Sequence, residues 1–143
     1  YKRFLNRRYY MRGQKGEIIS NYLEADYKDK ITWEGKIFID NDVYLQAYGG
    51  IHFGDDVSIA KGVKILTFRY NFFERNVKNL ERKFIPEPVF IGNGVMLGYN
   101  AIILPGVKIG DKSIIGAGSV IGKNIPPSCI VSGNPGKIID YIN

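Results

Sequence analysis

The chain has few of the side chains on which metal sites, disulfide frameworks and thiol catalysis depend. Its 143 residues include one histidine, His52, and one cysteine, Cys129. A single cysteine excludes an internal disulfide and fits a reducing compartment, so we expect a cytoplasmic protein. One histidine excludes a zinc site made of three histidines, and we expect no bound metal. It also leaves little to activate Cys129, which we interpret as a small core side chain rather than a nucleophile.

Long apolar runs are absent, and acidic residues are fewer than basic ones, at 14 against 20. No stretch of 18 or more apolar residues is present, so we expect no transmembrane helix, and no secretory segment opens the printed sequence. The net charge is +6, and much of the basic excess lies in the first 15 residues, interleaved with apolar side chains. Two interpretations of this arm stay open: a solvated or capping segment, and a basic amphipathic segment in peripheral contact with a membrane. We recognise no nucleic-acid-binding module.

What the chain does have is a six-residue repeat that is regular over its second half. An aliphatic residue recurs at every sixth position, at Ile91, Leu97, Ile103, Ile109, Ile115 and Ile121. A small or branched residue lies four positions after each of these, at Val95, Ala101, Val107, Ser113, Ser119 and Ile125. Internal repeats of short, fixed period are typical of solenoid proteins. The sequence therefore predicts an all-β parallel helix in which three six-residue units form one coil.

The same period divides the chain into regions. Residues 1–36 lack the repeat, and we predict a basic arm and a cap there, with a short helix or a loop over residues 18–23. The repeat defines a β-helix domain over residues 37–139, which a tail of residues 140–143 follows. Ile51 and His52 interrupt it as a two-residue insertion. Residues 68–88 form a charged and aromatic loop extruded between two blocks of repeats, and a loop of this length is often functional.

The best-kept repeats, residues 91–139, resemble the hexapeptide-repeat acyltransferases. Three segments carry the resemblance: residues 103–107 (ILPGV), 115–120 (IGAGSV) and 132–135 (SGNP). The nearest branch contains the maltose, galactoside and polysaccharide O-acetyltransferases. The resemblance implies a left-handed parallel β-helix and a homotrimer, with acetyl-CoA as co-substrate in the groove between subunits. It also implies acetyl transfer to a hydroxyl group of a sugar or polysaccharide precursor, with a histidine as general base.

The chain departs from this family at the position of the base. In the similar enzymes the histidine ends a short segment before the extruded loop, and the matching position here holds Tyr70. Tyrosine, with an ordinary pKa of about 10, is a poor base at neutral pH. The segment that ends in Tyr70 lies three units after residues 45–50, so the two should stack one coil apart, and His52 follows the lower one. We predict His52 and Tyr70 as catalytic residues, with His52 as the substitute base; an ordinary turn histidine is the competing interpretation.

The resemblance also implies a donor side that is better preserved. Four small residues would let the pantetheine arm approach the backbone closely, and two lysines would face either the CoA phosphates or solvent. The cofactor-binding residues predicted in this way are Gly98, Gly116, Ala117, Gly118, Lys123 and Lys137. On the acceptor side, residues 46–48 stand in a region where sugar-acetylating members place an acceptor-binding asparagine.

Two other functions stay open at this point. A catalytically silent hexapeptide-repeat protein would bind a ligand or partner through the same scaffold and would need no histidine at position 70. A nucleotide-sugar N-acyltransferase would also fit, because an amine acceptor demands less of a general base than a hydroxyl group does.

Overall fold

The computed structural model describes residues 9–12, 17–20, 23–71 and 84–143, which form short strands joined by turns. The first ten strands are β1 (Tyr9–Arg12), β2 (Glu17–Ser20), β3 (Leu23–Asp26), β4 (Ile31–Trp33), β5 (Ile37–Ile39), β6 (Val43–Gln46), β7 (Ile51–Phe53), β8 (Val57–Ile59), β9 (Lys64–Leu66) and β10 (Phe68–Tyr70). The others are β11 (Phe84–Pro86), β12 (Val89–Ile91), β13 (Met96–Leu97), β14 (Ile102–Ile103), β15 (Lys108–Ile109), β16 (Ile114–Ile115), β17 (Val120–Ile121), β18 (Cys129–Ser132) and β19 (Lys137–Tyr141). A 3-10 helix at Lys28–Lys30 is the one helical element of the described residues.

The strands form three faces, and the chain passes through the faces in a repeating order. Face 1 contains β1, β2, β5, β8, β13, β16, β18 and β19; face 2 contains β3, β6, β9, β14 and β17; face 3 contains β4, β7, β12 and β15. Successive coils pair in parallel register, as Leu45 with Ile65 and Ile103 with Ile121. Antiparallel pairing within the described faces occurs at the two ends of face 1, at β1 and β19. The predicted parallel β-helix is confirmed.

The core is the stack of inward-facing side chains, and both repeat columns belong to it. The aliphatic column from Ile91 to Ile121 is at most 3% exposed, and the column from Val95 to Ile125 is at most 8% exposed. Alternate residues of each short strand point inward because side chains alternate across a strand. Full burial of one aliphatic side chain contributes about 1.5–3 kcal/mol, so the stacked columns stabilise the coils. Cys129 is fully buried in the same stack, as its interpretation as a core residue predicts.

The coils differ in length, and the difference lies at one edge of the helix. N-terminal coils pair at a separation of 20 residues, as Ile31 with Ile51, whereas the coils after the hairpin pair at 18, as Ile103 with Ile121, and the last pairings are at 16, as Ile115 with Val131. The extra residues lie in the turns from face 2 to face 3, and the extruded segment leaves the helix at the same edge. We name this edge the hairpin corner; it consists of residues 27–30, residues 47–50 and the antiparallel pair β10–β11.

The insertion predicted at Ile51 and His52 is wrong in its position. Ile51 is fully buried and pairs in register with Val89, so both residues belong to the regular strand β7. The extra residues form the turn at 47–50 instead, where Gly50 adopts a φ of 99°. The repeat alone did not distinguish the two placements, because Gly49 also satisfies the small-residue position of a six-residue unit.

The first coil is built from residues that precede the clear repeat. Strand β2 pairs with β5 and strand β3 with β6 in parallel, so the stack reaches into the region predicted as arm and cap. The short helix or loop predicted here is wrong for residues 18–20 and 23, because Glu17–Ser20 and Leu23–Asp26 are strands whose pairing with the next coil overrides the helical spacing. Residues 1–8, 13–16 and 21–22 of the predicted arm and cap, and residues 72–83 of the predicted loop, lie outside the described residues. Within the part that the structure describes, no helix has the length and apolar character needed to cross a bilayer.

Candidate functional site at the hairpin corner

Thr67 anchors the point where the chain leaves face 2. Its side chain is fully buried, and its Oγ1 donates to Gln46 O at 2.6 Å and accepts from Gly49 N at 2.8 Å. The backbone of Thr67 also takes part, because its N donates to Gln46 Oε1 at 3.3 Å and its O accepts from Glu87 N at 2.7 Å. The departing hairpin is therefore tied to the turn of the coil below.

Glu87 connects the other end of the hairpin to the coils. Its backbone O accepts from Gly106 N of the coil above at 3.1 Å. Its carboxylate pairs with Arg69 of β10, with 2.9 Å between Arg69 Nε and Glu87 Oε1. Thr67, Glu87 and Arg69 thus hold the base of the hairpin between two coils.

His52 lies at the centre of β7, with its side chain on the outer surface of face 3. Its Nδ1 is hydrogen-bonded to Thr32 Oγ1 at 2.5 Å. Its ring stacks on Phe90, with 4.7 Å between ring centroids and 14° between ring planes. Thr32, His52 and Phe90 occupy the same register position in three successive coils. One neighbour below and one above therefore fix the position and the plane of the imidazole.

The hydrogen bond to Thr32 occupies Nδ1 and leaves Nε2 as the ring nitrogen that is available for chemistry. When Nδ1 donates to the threonine hydroxyl, Nε2 carries a lone pair and can accept a proton; when the hydroxyl donates instead, Nε2 bears the proton. Nε2 lies 3.8 Å from the position that a Cβ would occupy on Gly50, so it faces the turn at residues 47–50. His52 consequently presents Nε2 to the hairpin corner, and this nitrogen can act as a base in the tautomer in which Nδ1 donates to Thr32.

Tyr70 ends strand β10 and lies in the hairpin, not on face 2. The predicted stacking one coil apart is confirmed where Leu45 pairs with Ile65, but the chain leaves the face after Thr67. The Tyr70 ring packs 5.7 Å from Phe68 and 5.1 Å from Phe84, measured between ring centroids. Tyr70 belongs to the hairpin corner and His52 faces this corner from β7, but different contacts fix the two side chains, and their catalytic roles stay predictions.

A hydroxyl–carboxylate pair that the sequence analysis missed lies on the outer surface of face 2. Tyr44 donates its phenolic proton to Asp26 Oδ2 at 2.6 Å. Burial raises the pKa of the Tyr44 phenol, and the hydrogen bond to Asp26 and the charges of Asp26 and Glu24 raise it further. The phenol therefore remains a donor at neutral pH beside a carboxylate. The register that places Asp26 opposite Gln46 is the signal that would have found the pair, but it requires the first coil to be recognised.

The small donor-side residues gather at the turn from face 1 to face 2. We name this edge the glycine corner; it consists of residues 98–100 and 116–118, which are joined by a 2.7 Å hydrogen bond from Gly118 N to Tyr99 O. A Cβ on Gly98 would lie 2.6 Å from Ile115 O, so close coil stacking itself requires glycine there. Gly118 has a φ of 68° and open space around it, and Ala117 beside it is exposed. The open surface of this corner therefore lies at Ala117 and Gly118, beside the exposed ring of Tyr99.

The two predicted lysines lie on different sides of the glycine corner. Lys137 begins β19 and pairs with Ser132, whose Oγ would lie 3.1 Å from a Cβ on Gly116. Lys123 follows β17 and lies on the hairpin-corner side of face 2. Both are exposed, and neither forms an ion pair with a described residue. The structure therefore brings Lys137, but not Lys123, to the small residues.

Similarity to known proteins with the same repeats shows the family of this chain. A family model described as bacterial transferase hexapeptide (six repeats) matches residues 88–123. The galactoside O-acetyltransferase of Escherichia coli (strain K12) is 41% identical over 90 residues, which are 63% of this chain and 43% of that protein. The crystal structure of a maltose O-acetyltransferase from Clostridium difficile 630 is 34% identical, with a TM-score of 0.80 over 91% of this chain and 67% of that chain. The chain belongs to the hexapeptide-repeat acyltransferase family.

Another solved member of this acyltransferase family has the same fold. The hexapeptide-repeat acetyltransferase of Vibrio cholerae O1 biovar eltor, complexed with acetyl-CoA, is 27% identical, with a TM-score of 0.75 over 85% of this chain and 65% of that chain. The left-handed β-helix and the family implied by the resemblance are confirmed. The chain spans less than half of the length of the Escherichia coli relative. The hexapeptide match includes the glycine corner but begins after His52 and Tyr70, so it carries no role for these two residues.

Proposed function

We propose that this chain transfers the acetyl group of acetyl-CoA to a hydroxyl group of a saccharide. Its similarity to galactoside and maltose O-acetyltransferases supports the reaction, and the acetyl-CoA complex of the Vibrio cholerae protein supports the donor. The observation that carries the proposal for this chain's own residues is the imidazole of His52. Thr32 and Phe90 orient it, and its Nε2 is directed at the hairpin corner.

His52 is the general base in this mechanism. Its Nδ1–H donates to Thr32 Oγ1, and Nε2 removes the proton of the acceptor hydroxyl while the acceptor oxygen attacks the thioester carbonyl. The C–S bond then breaks, CoA leaves as the thiolate, and the thiolate takes the proton from the imidazolium. The products are the acetyl ester of the acceptor and CoA. Tyr70 and the Tyr44–Asp26 pair contact the acceptor and orient it.

The glycine corner is the donor side of the same proposal. Its exposed small residues leave room for a pantetheine arm along the backbone, and Lys137 supplies a charge beside it for a CoA phosphate. Lys123 lies on the other side of face 2, away from the glycine corner, so it has no assigned contact in this arrangement. The homotrimer implied by the resemblance supplies the groove between subunits, and a cytoplasmic location supplies acetyl-CoA.

The test measures CoA release from acetyl-CoA in the presence of a panel of mono- and oligosaccharides. We expect His52→Gln to lower kcat by about 10²–10⁴-fold with little change in KM, because binding does not require the base. Thr32→Val should lower kcat by about tenfold, since the imidazole loses its orienting hydrogen bond. Ser58→Ala removes an outward-facing hydroxyl of face 1 and is the control expected to keep the wild-type rate.

Three outcomes would contradict parts of the proposal. If the His52→Gln variant transfers the acetyl group at the wild-type rate, His52 is not the general base. Binding of acetyl-CoA without CoA release on any acceptor favours the catalytically silent protein. Transfer to amino sugars alone favours the N-acyltransferase.

A further inference from the structure

Five aromatic rings line the hairpin corner across three coils. Tyr27 and Tyr48 come from the turns of the first two coils, and Phe68, Tyr70 and Phe84 come from the hairpin above them. The distances between ring centroids are 5.3 Å from Tyr27 to Tyr48, 5.7 Å from Tyr48 to Phe68 and 4.7 Å from Phe68 to Phe84. We name this continuous row the aromatic ladder.

A large part of the aromatic ladder faces solvent. Tyr27 is 51% exposed, Phe84 is 44% exposed and Tyr70 is 37% exposed. An exposed ring gains little from the hydrophobic effect on folding, so burial does not account for these side chains. Contiguous exposed apolar surface on a protein generally marks a site of interaction with a ligand or partner.

The backbone of Tyr27 is a second, independent observation. Tyr27 has φ 54° and ψ 52°, in the left-handed region. A bulky side chain disfavours this conformation, and strained residues cluster at binding and catalytic sites. Glycine or asparagine would make the same turn with less strain, so the turn itself does not require an aromatic residue. Among the residues that the structure describes, the other non-glycine residues with positive φ are Asp42, Asp56, Asn100, Lys112 and Ser128, none of which is aromatic.

Polar and charged groups border the rings. Lys30 Nζ lies 5.3 Å from the ring centroid of Tyr27 and 4.8 Å from that of Tyr48, and it donates to Tyr48 O at 2.8 Å. The Arg69–Glu87 ion pair at the hairpin base is partly exposed. Apolar ring surface beside a few fixed polar groups is the usual composition of a small-molecule site. A sugar matches it, because its C–H bonds can pack on the rings while its hydroxyl groups form hydrogen bonds.

We propose that the aromatic ladder binds a saccharide chain whose pyranose rings stack along the hairpin corner beside Lys30. The inference rests on the proposed function and deepens it, since the ladder would hold the sugars that flank the acetylated one. Continuity supports this arrangement. Tyr48 lies in the same turn as Gly49, which Thr67 holds, and as Gly50, which Nε2 of His52 faces.

Ring geometry favours a saccharide over a nucleotide base. The ring planes meet at 72° for Tyr27 and Tyr48, and at 81° for both Tyr48 with Phe68 and Phe68 with Phe84. Neighbouring rings of the ladder therefore form no parallel slot in which a planar base could be sandwiched. A pyranose has no π-system and packs on one ring at a time, so a row of rings set edge to face suits a chain of sugars.

Binding is measured without any acyl donor. An array of neutral and acidic oligosaccharides of two to six pyranose units is screened, and maltohexaose and the tightest binder are then titrated by calorimetry. We expect Phe84→Ala to weaken binding by about tenfold. Tyr27→Gly is sharper, because it removes a ring and relieves the left-handed strain at once. It should weaken binding by about tenfold while the melting temperature stays within about 3 °C of wild type.

Phe38→Ala is the matched control, because Phe38 on face 1 has the same 44% exposure as Phe84 and lies outside the aromatic ladder. Binding of no oligosaccharide, or an equal loss in the control, would overturn the inference. The inference would also be overturned if a nucleoside diphosphate bound to the wild type, lost its binding in the Tyr27 and Phe84 variants, and was not displaced by saccharides. Saccharide binding without CoA release would remove the proposed function and leave the inference. Acetyl transfer with an unchanged KM for the saccharide in both ladder variants would remove the inference and leave the proposed function.

Discussion

Replacement of Thr67 by valine tests whether this residue anchors the hairpin to the helix. Valine keeps the shape of the side chain but removes the hydroxyl, so Gln46 O and Gly49 N lose the partners that lie 2.6 and 2.8 Å away. Each lost hydrogen bond at a part-buried site costs about 1 kcal/mol, so Thr67→Val should lower the free energy of unfolding by about 2 kcal/mol. For a chain of this size the melting temperature should fall by about 4–8 °C.

Thr67→Ser is the matched control, because serine keeps both hydrogen bonds and loses one methyl group, worth about 1 kcal/mol. The global assay is urea unfolding at fixed protein concentration, with Thr67→Val expected to be the less stable variant. The local assay is hydrogen exchange of the Gly49 amide, which should accelerate by about 30-fold in Thr67→Val and much less in Thr67→Ser. If the valine variant is at least as stable as the serine variant and protects Gly49 equally well, Thr67 is not the anchor.

Two further predictions concern the faces beside the corners. Because burial and the bond to Asp26 raise the pKa of Tyr44, the unfolded phenol ionises first as pH rises above about 10. The free energy of unfolding of wild type relative to Tyr44→Phe, measured by urea unfolding, should therefore fall between about pH 9 and 11. A difference that stays constant over this range would contradict the prediction. Gly98→Ala should cost about 3 kcal/mol, because its Cβ would meet Ile115 O at 2.6 Å, whereas Gly118→Ala, in open space, should cost about 1 kcal/mol in the same assay.

The regular part of the fold could be predicted because its rule is local. Leu97 and Ile103 occupy the same inward position in successive six-residue units, and both are buried as the period requires. The close approach of successive coils also leaves a sequence signal, since glycine stands where a Cβ would meet the neighbouring backbone, as at Gly98. Spacing and residue size together were therefore sufficient for the core and for the coil register.

The first coil and the hairpin corner could not be predicted in the same way. Strand β3 is held by its pairing with β6, and this contact joins residues about 20 positions apart in the sequence, so no local pattern predicts it. The two-residue insertion has two placements that keep the hydrophobic columns intact, and only the burial of Ile51 distinguishes them. The Tyr44–Asp26 pair depends on both the first coil and the position of the insertion, so it could not be predicted before the register of these coils was known.

Packing explains why unusual side chains collect at the hairpin corner. At the glycine corner the six-residue turns bring successive coils so close that a Cβ on Gly98 has no room, and chemical variety there is limited. At the hairpin corner the turns are longer, and Tyr27 and Tyr48 extend outward without disturbing the inward columns. A β-helix can therefore change what it binds at this corner while its core stays the same.

Differences in acceptor among hexapeptide-repeat acyltransferases should accordingly follow differences in the turns from face 2 to face 3. Exchange of residues 47–50 between two members should alter KM for the acceptor more than KM for acetyl-CoA.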